Sequence, residues 1–428
     1  MTQQQLPGKR THLTGTVHVP GDKSISHRAL MLGSMAQGTS HVEHILEAED
    51  VQTTMRVYRQ LGVTIETQGA TTVIQSPGFA RFSAPSQTLD FGNSGTTLRL
   101  SLGVLAKQPF ELDMSGDASL QQRPMGRVLN PLKQMGLRTV TPATGLPIQL
   151  APNRTLNGIQ YTLPVASAQV KSALILAGLQ ASQTTRITEP IATRDHTERM
   201  LSAFGVTLAR DGKTLTVPAE QKLTPATVTV PSDFSSAAFW LTAGVLVPES
   251  RIKLPAVGMN PTRTGLIQLL TRMGAQIPVQ MQSTTGEPIG DVLAQTQQLH
   301  CIKVTEVDIP AVIDEMPLLV LAATQAKGVT EITGAEELRV KETDRIDAVT
   351  TELNRLGAQI TALPDGFRIV GPTALHVTEP TTVHSHGDHR IGMMLAIASL
   401  LTEGTITLEG AEAVAISYPT FFNDLAQL

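Results

Sequence analysis

Cysteine is nearly absent: Cys301 is the sole one in 428 residues. An internal disulfide and a cysteine-rich zinc site are both excluded, and a reducing cytoplasm is the expected compartment. Aromatic residues make up only 3% of the chain, which argues against stacking platforms for single-stranded nucleic acid. Positive charge has no surplus. The 33 Lys and Arg face 37 Asp and Glu, a formal net charge of −4, so no global basic field exists to hold a polyanion. No apolar run approaches the roughly 18 residues that span a bilayer. The opening MTQQQLPGKRTHL lacks the apolar core of a signal peptide. The expectation is a soluble intracellular protein with neither nucleic acid nor membrane as partner.

What the chain does have is length enough for two domains and a recurring phrase. It reads RQLGVTIETQGATTVI at 59–74, KQMGLRTVTPATGLPIQL at 133–150, SAFGVTLARDGKTLTV at 202–217, TRMGAQIPV at 271–279 and NRLGAQITALPDGFRIV at 354–370. The central glycines are Gly62, Gly136, Gly205, Gly274 and Gly357, spaced 69 to 83 residues apart. Each copy reads as an amphipathic helix ended by a left-handed glycine, then a strand, a turn and a second strand. Turn signals stand at Gly69, Thr144-Gly145, Asp211-Gly212 and Asp365-Gly366.

A period near 70 allows about six units in this length. The C-terminal SYPTFFNDLAQL has no hairpin after it, and the strand-like THLTGTVHVP near the N-terminus has no helix before it. The two ends are therefore expected to complete one unit together. That predicts a discontinuous domain of residues 1–20 plus 231–428 and an inserted domain of residues 21–230, with three units in each.

Between the repeats lie polar motifs at the starts of apolar stretches. Pro20-Gly21-Asp22-Lys23-Ser24-Ile25-Ser26-His27-Arg28 reads as a turn feeding a helix capped by Asp22 or Ser24, with Lys23 and Arg28 able to converge on an anion. Asp90-Phe91-Gly92-Asn93-Ser94-Gly95-Thr96-Thr97-Leu98-Arg99 offers backbone amides to a phosphate or carboxylate, without the lysine of a P-loop. Arg123 precedes a helix expected to start at Pro124, and Ser167-Ala168-Gln169-Val170-Lys171 opens an apolar one. Each of these alone is matched by an ordinary capped helix with solvated charges, Lys171 included.

Asp314-Glu315-Met316-Pro317 puts two acids at another apolar helix start, suited to a base or to the helix dipole. Arg339-Val340-Lys341-Glu342-Thr343-Asp344-Arg345 has a plain alternative as a solvated helix face, but its charges tilt it toward function. Lys341 and Arg345 would repel there unless an anion or the intervening acids offset them. His384-Ser385-His386-Gly387-Asp388-His389-Arg390 is too loose for a zinc signature, and anion binding ranks above metal.

The ordered set PGDKSISHRAL, GNSGTTLRL, QRPM, SAQVKSALILAGL, IDEMP, LRVKETDRI and GDHRIGM resembles the enolpyruvyl transferases over nearly the whole chain, and within them the branch acting on shikimate 3-phosphate. The resemblance implies an α/β fold: a two-domain inside-out α/β barrel of six helix/sheet repeat units, three per domain, with the active site in the interdomain cleft. It implies transfer of the enolpyruvyl group of phosphoenolpyruvate to the 5-hydroxyl of shikimate 3-phosphate through a tetrahedral ketal, on the route to aromatic amino acids. No cofactor and no metal are implied, the partners are the two small substrates, and a monomer is the family habit.

By the same resemblance Ser24, Arg28, Ser167, Gln169 and Lys341 contact shikimate 3-phosphate, while Lys23, Gly95, Arg123, Gln169, Arg345 and Arg390 contact phosphoenolpyruvate. Asp314 takes the 5-hydroxyl proton, and Glu342 and Lys23 handle protons at C3. Arginine suits these contacts because its planar fork matches carboxylate and phosphate.

The chain departs from its relatives at three points. Ser167-Ala168-Gln169 stands where many have Ser-Ser-Gln, Thr193-Arg194 lies near where a serine is used, and Ala415-Ile416-Ser417-Tyr418-Pro419 lacks the lysine that some carry before the aromatic-proline pair. Two other readings are a sister transferase acting on UDP-N-acetylglucosamine and a non-catalytic repeat protein that binds anionic metabolites. The first usually needs a reactive cysteine in a loop of the first domain, whereas Cys301 lies in strand-like QQLHCIKV of the other.

Overall fold

The computed structural model describes residues 2–140, 144–283 and 286–428. The chain divides into two compact units, one of Met1–Pro20 with Pro231–Leu428 and the other of Gly21–Val230. The apolar core likewise falls into two separate clusters, one per unit.

Six helices have no polar stripe to offer water, and nearly all their residues are buried. The inserted unit holds Lys23–Met35, Gly95–Val104 and Ala168–Gly178. The other unit holds Phe234–Leu246, Met316–Gln325 and His389–Ser399. Within each unit these helices pack on one another. Two of them approach closely at Gly103, where a Cβ would stand 2.2 Å from the Ala173 carbonyl oxygen. Any side chain there would force Gly95–Val104 and Ala168–Gly178 apart.

After each buried helix comes a strand, then an amphipathic helix. Five of these second helices end on the repeated glycine, at φ of +89°, +107°, +83°, +103° and +93° for Gly62, Gly136, Gly205, Gly274 and Gly357. In each case the following N–H returns to the carbonyl five residues back, as from Val63 to Tyr58 at 3.2 Å and from Ala358 to Leu353 at 3.1 Å. That is the Schellman closure, with an apolar residue after the glycine facing the last turn. Hairpins follow four of the five glycines, such as Thr64–Gln68 with Thr71–Ser76 and Gln359–Leu363 with Gly366–Gly371. After Gly136 an isolated bridge joins Thr139 to Leu150, and residues 141–143 of the expected hairpin lie outside the described residues. Among the described residues three small sheets lie in each unit, and each joins a parallel strand pair to antiparallel neighbours.

The two chain ends share one sheet. Gln3–Gln5 runs antiparallel to Ile406–Glu409, which is parallel to Thr381–His384. The strand that completes this sheet is thus not drawn from THLTGTVHVP. Thr14–Thr16 in that stretch is instead the parallel edge of the sheet containing Arg251–Gly258. A tract of three glutamines carries no apolar alternation to mark it as a strand.

Two further expectations are corrected. Lys341 and Arg345 do not share a helix face: Glu336–Val340 is a 3₁₀ turn, and the α-helix begins at Arg345 behind an Asp344 cap. The helix after Arg123 begins at Gly126, two residues beyond Pro124.

Candidate active site

Five of the polar motifs stand at the N-terminal ends of buried helices, while those of Arg123 and of Lys341 with Arg345 lead into the amphipathic helices Gly126–Gln134 and Arg345–Arg355. Side-chain caps fix five of the six buried helix starts. Asp22 accepts from the Ile25 N–H at 2.8 Å, Ser94 from Thr97 at 3.3 Å, Ser167 from Val170 at 3.4 Å, Asp233 from Ser235 at 2.6 Å and Asp388 from Arg390 at 2.8 Å. Asp22 and not Ser24 is the first cap. Ser24 contributes its carbonyl, which accepts from Arg28 Nη1 at 2.9 Å. The sixth helix has Glu315 at the cap position, with no side-chain cap bond.

In the inserted unit Arg28 is buried and pinned. Its Nε donates to Thr197 Oγ1 at 2.8 Å and its Nη2 to Ser172 Oγ at 3.1 Å. Lys23 pairs with Asp50 at 2.5 Å. Gly95 lies under two guanidinium groups: a Cβ there would meet Arg99 Nη1 at 3.1 Å and Arg123 Nη1 at 3.2 Å. Arg123 is steered by Asn93 Oδ1 at 2.7 Å, and Arg99 donates to Gln169 Oε1 at 2.6 Å. Gln169 in turn donates to Thr96 Oγ1 at 3.1 Å. So Gly95, Arg123 and Gln169 form one neighbourhood, while Ser167 caps its own helix beside Gln169.

Lys171 is not solvated. It is fully buried, 3.0 Å from Glu189 Oε1 and 2.8 Å from Glu198 Oε1, and it donates to the Thr193 carbonyl at 3.3 Å. Burial pushes the Glu189 pKa up, but the Lys171 charge and the hydrogen bonds from Thr193, Arg210 and Lys171 together hold the carboxyl below its usual range. Thr193, one of the departures from the relatives, also hydrogen-bonds Glu189 through its hydroxyl. It belongs to the support of this buried lysine.

In the other unit Asp314 lies between two arginines. Its carboxylate is 3.7 Å from Arg345 Nη1 and 3.6 Å from Arg390 Nη2. Both separations are too long for hydrogen bonds. Arg345 is fully buried. Its Nε reaches Asp388 Oδ2 at 2.7 Å and its Nη2 reaches Glu342 Oε2 at 2.8 Å. Burial works against its charge, yet Asp388, Glu342 and Asp314 together hold its pKa above the usual value. Arg345 Nη1 has no hydrogen-bond partner among the described residues. Lys341 is half-buried at the end of the 3₁₀ turn, next to Glu342.

His384 and His386 do not gather a metal-type cluster. His386 Nε2 meets the buried Glu352 at 2.9 Å and His384 Nδ1 meets Glu409 at 3.3 Å. Among the described residues no group of three or more His, Cys, Asp or Glu is placed to hold a metal ion. Nor, among them, is any helix long and apolar enough to cross a membrane.

Asp50, Arg99, Ser172, Thr197, Arg263 and Glu315 are partners that the sequence reading did not assign to the site. Arg99 and Glu315 stood inside or beside quoted motifs. Asp50 and Thr197 come from the second, amphipathic helices Glu49–Gln60 and His196–Ala203, where no local pattern marks them.

The sequence profile of EPSP synthase (3-phosphoshikimate 1-carboxyvinyltransferase) matches residues 7–425. A 3-phosphoshikimate 1-carboxyvinyltransferase of Leuconostoc mesenteroides is 51% identical over 423 residues, 98% of this chain and 97% of the relative. The enzyme of that name from Bacillus subtilis is 49% identical over 419 residues, 97% of each chain. Among solved structures, EPSP synthase from Acinetobacter baumannii superposes with a TM-score of 0.88 at 42% identity, covering 99% of this chain and 97% of that one. The enolpyruvyl transferase NikO from Streptomyces tendae shares the fold at a TM-score of 0.79 and 19% identity, covering 99% and 96%. The mixed α/β fold is that of the solved EPSP synthases, and the chain belongs to the EPSP synthase family.

Proposed function

We infer that this protein is a 3-phosphoshikimate 1-carboxyvinyltransferase of aromatic amino acid biosynthesis. It transfers the enolpyruvyl group of phosphoenolpyruvate to the 5-hydroxyl of shikimate 3-phosphate and releases phosphate. Relatives about 50% identical over nearly the full length carry that name. The observation that carries the reading at the residue level is Asp314, whose carboxylate stands 3.7 Å from Arg345 and 3.6 Å from Arg390. A carboxylate set between two cations that would hold an anionic substrate is placed to accept the proton of a substrate hydroxyl.

In this reading Asp314 takes the 5-hydroxyl proton as oxygen attacks C2 of the enolpyruvyl group. Glu342 and Lys23 handle the proton at C3, first adding one to form the methyl of the tetrahedral ketal and then withdrawing one from that methyl, so that the enol ether re-forms as phosphate departs. Lys23, Gly95, Arg123, Gln169, Arg345 and Arg390 hold phosphoenolpyruvate. Ser24, Arg28, Ser167, Gln169 and Lys341 hold shikimate 3-phosphate. The buried, hydrogen-bonded arginines supply fixed positive charge that needs no reorganisation as negative charge develops.

The finer architecture belongs to the same proposal. Two inside-out α/β barrels, residues 1–20 with 231–428 and residues 21–230, would each be built of three units. A cytoplasmic monomer completes it. The sister activity on UDP-N-acetylglucosamine finds no support in Cys301, which packs on Gly328 in the unit carrying both chain ends.

The test is phosphate release from phosphoenolpyruvate with each acceptor in turn. Turnover with shikimate 3-phosphate alone is the expected result. Turnover with UDP-N-acetylglucosamine, or binding of both substrates without phosphate release, would replace this reading.

A further inference from the structure

Glu315 occupies the cap position of the buried helix Met316–Gln325, yet its carboxylate does not cap it. The other five buried helices all have a side-chain cap. A buried carboxylate that forgoes the helix amides must be held by something else, because an unpaired buried charge costs several kcal/mol. Glu315 is 1% exposed. Its Oε1 accepts a hydrogen bond from Ser235 Oγ and lies 3.7 Å from Arg390 Nη1. Ser235 Oγ accepts from Arg263 Nη2 at 2.6 Å, and Arg263 stands 3.9 Å from Asp233. Two carboxylates and two guanidinium groups thus share one buried patch at the starts of three helices.

The patch bears on Arg390 from one side. Arg390 Nη1 faces Glu315 and donates to the Asp314 backbone carbonyl at 3.2 Å, while Nη2 points toward the Asp314 carboxylate at 3.6 Å. One nitrogen is anchored and the other is left near the reacting group. We propose that Glu315, seated by Ser235 and Arg263, is a positioning residue that sets the Arg390 guanidinium for phosphoenolpyruvate. The inference rests on the function proposed above, in which Arg390 contacts that substrate and Glu315 contacts none.

The experiment compares wild type with Glu315→Gln, which keeps the shape and removes the charge. The expected result is a rise of about tenfold in KM for phosphoenolpyruvate with KM for shikimate 3-phosphate little changed. Crystals of the variant should show Arg390 moved off the Asp314 carbonyl. If Glu315→Gln does not fold, Ser235→Ala keeps the charge but loosens its seat and should shift the same KM by a few-fold. An unchanged KM for phosphoenolpyruvate in a folded variant overturns the proposal, as do equal rises for both substrates with a lowered melting temperature. A wild type without turnover would overturn the assigned function. The crystallographic comparison still decides about Glu315 in that case, because a guanidinium that stays on the Asp314 carbonyl counts against it.

Discussion

Arg345 donates its Nε–H to Asp388 at 2.7 Å, and both side chains are buried. The same carboxylate caps the helix His389–Ser399 through the Arg390 N–H. One group thereby ties a charged side chain to the start of the next buried helix. Burial pushes the Asp388 pKa up, but Arg345, by charge and hydrogen bond, together with His389 holds it below the usual aspartate range. Its stabilising contribution is therefore present above about pH 3.9 and lost as pH falls through the depressed folded value. Asp388→Asn should cost about 3–5 kcal/mol at neutral pH, the penalty for breaking a buried pair. Urea unfolding should show the gap to wild type closing only below about pH 4. A gap that persists unchanged into strong acid would assign the effect to packing.

Lys171 should matter for stability more than for affinity. Lys171→Met leaves Glu189 and Glu198 with, among the described residues, only the partly exposed Arg210 as shared cation and should destabilise by about 3 kcal/mol. Adding Glu189→Gln should recover part of that loss, because one poorly compensated charge is removed with it. Thermal unfolding of the single and double variants measures this.

His27 is fully buried, with Nδ1 2.7 Å from Thr54 Oγ1. Burial pushes its pKa down to about 3, with Lys23 and Arg28 adding to the effect and Asp50 opposing it. A histidine depressed in the fold stabilises it above the unfolded value near 6.5, and that contribution fades as pH falls toward 3. At pH 4 the loss is roughly 3 kcal/mol. His27→Gln should flatten the decline in melting temperature between about pH 6.5 and pH 4. An equally steep decline in the variant would show that other groups cause it.

Thr197 comes from an amphipathic helix and fixes the angle of Arg28. Thr197→Val removes an acceptor from a buried guanidinium, a bond worth about 1.5–3 kcal/mol. The KM for shikimate 3-phosphate should rise about tenfold or more, with that for phosphoenolpyruvate nearly constant. Steady-state kinetics with each substrate varied separately distinguish this from a general loss of folded enzyme.

The helix-glycine-hairpin unit was legible because it repeats. Five copies expose the left-handed glycine and the alternating strands even though each alone is common. The sixth unit was legible only as a deficit, and its strand was misplaced because Gln3–Gln5 has no apolar pattern to read. The candidate site was marked in the sequence by motifs at helix starts, where capping residues and cations stand close together. Its support was not. Asp50, Thr197 and Arg263 act on Lys23, Arg28 and Ser235 from 27 or more residues away, and only packing brings them together. Lys171 misled for the same reason: its partners Glu189 and Glu198 are a helix and a strand further on.

Asp314 carries the central chemical claim, and Asp314→Ala tests it most directly. Equilibrium binding of shikimate 3-phosphate and single-turnover phosphate release should be measured on the same preparation. The account predicts an affinity within a few-fold of wild type and a rate lower by about 10²–10⁴, the usual worth of a general base. Phosphate release at the wild-type rate from the alanine variant would contradict it.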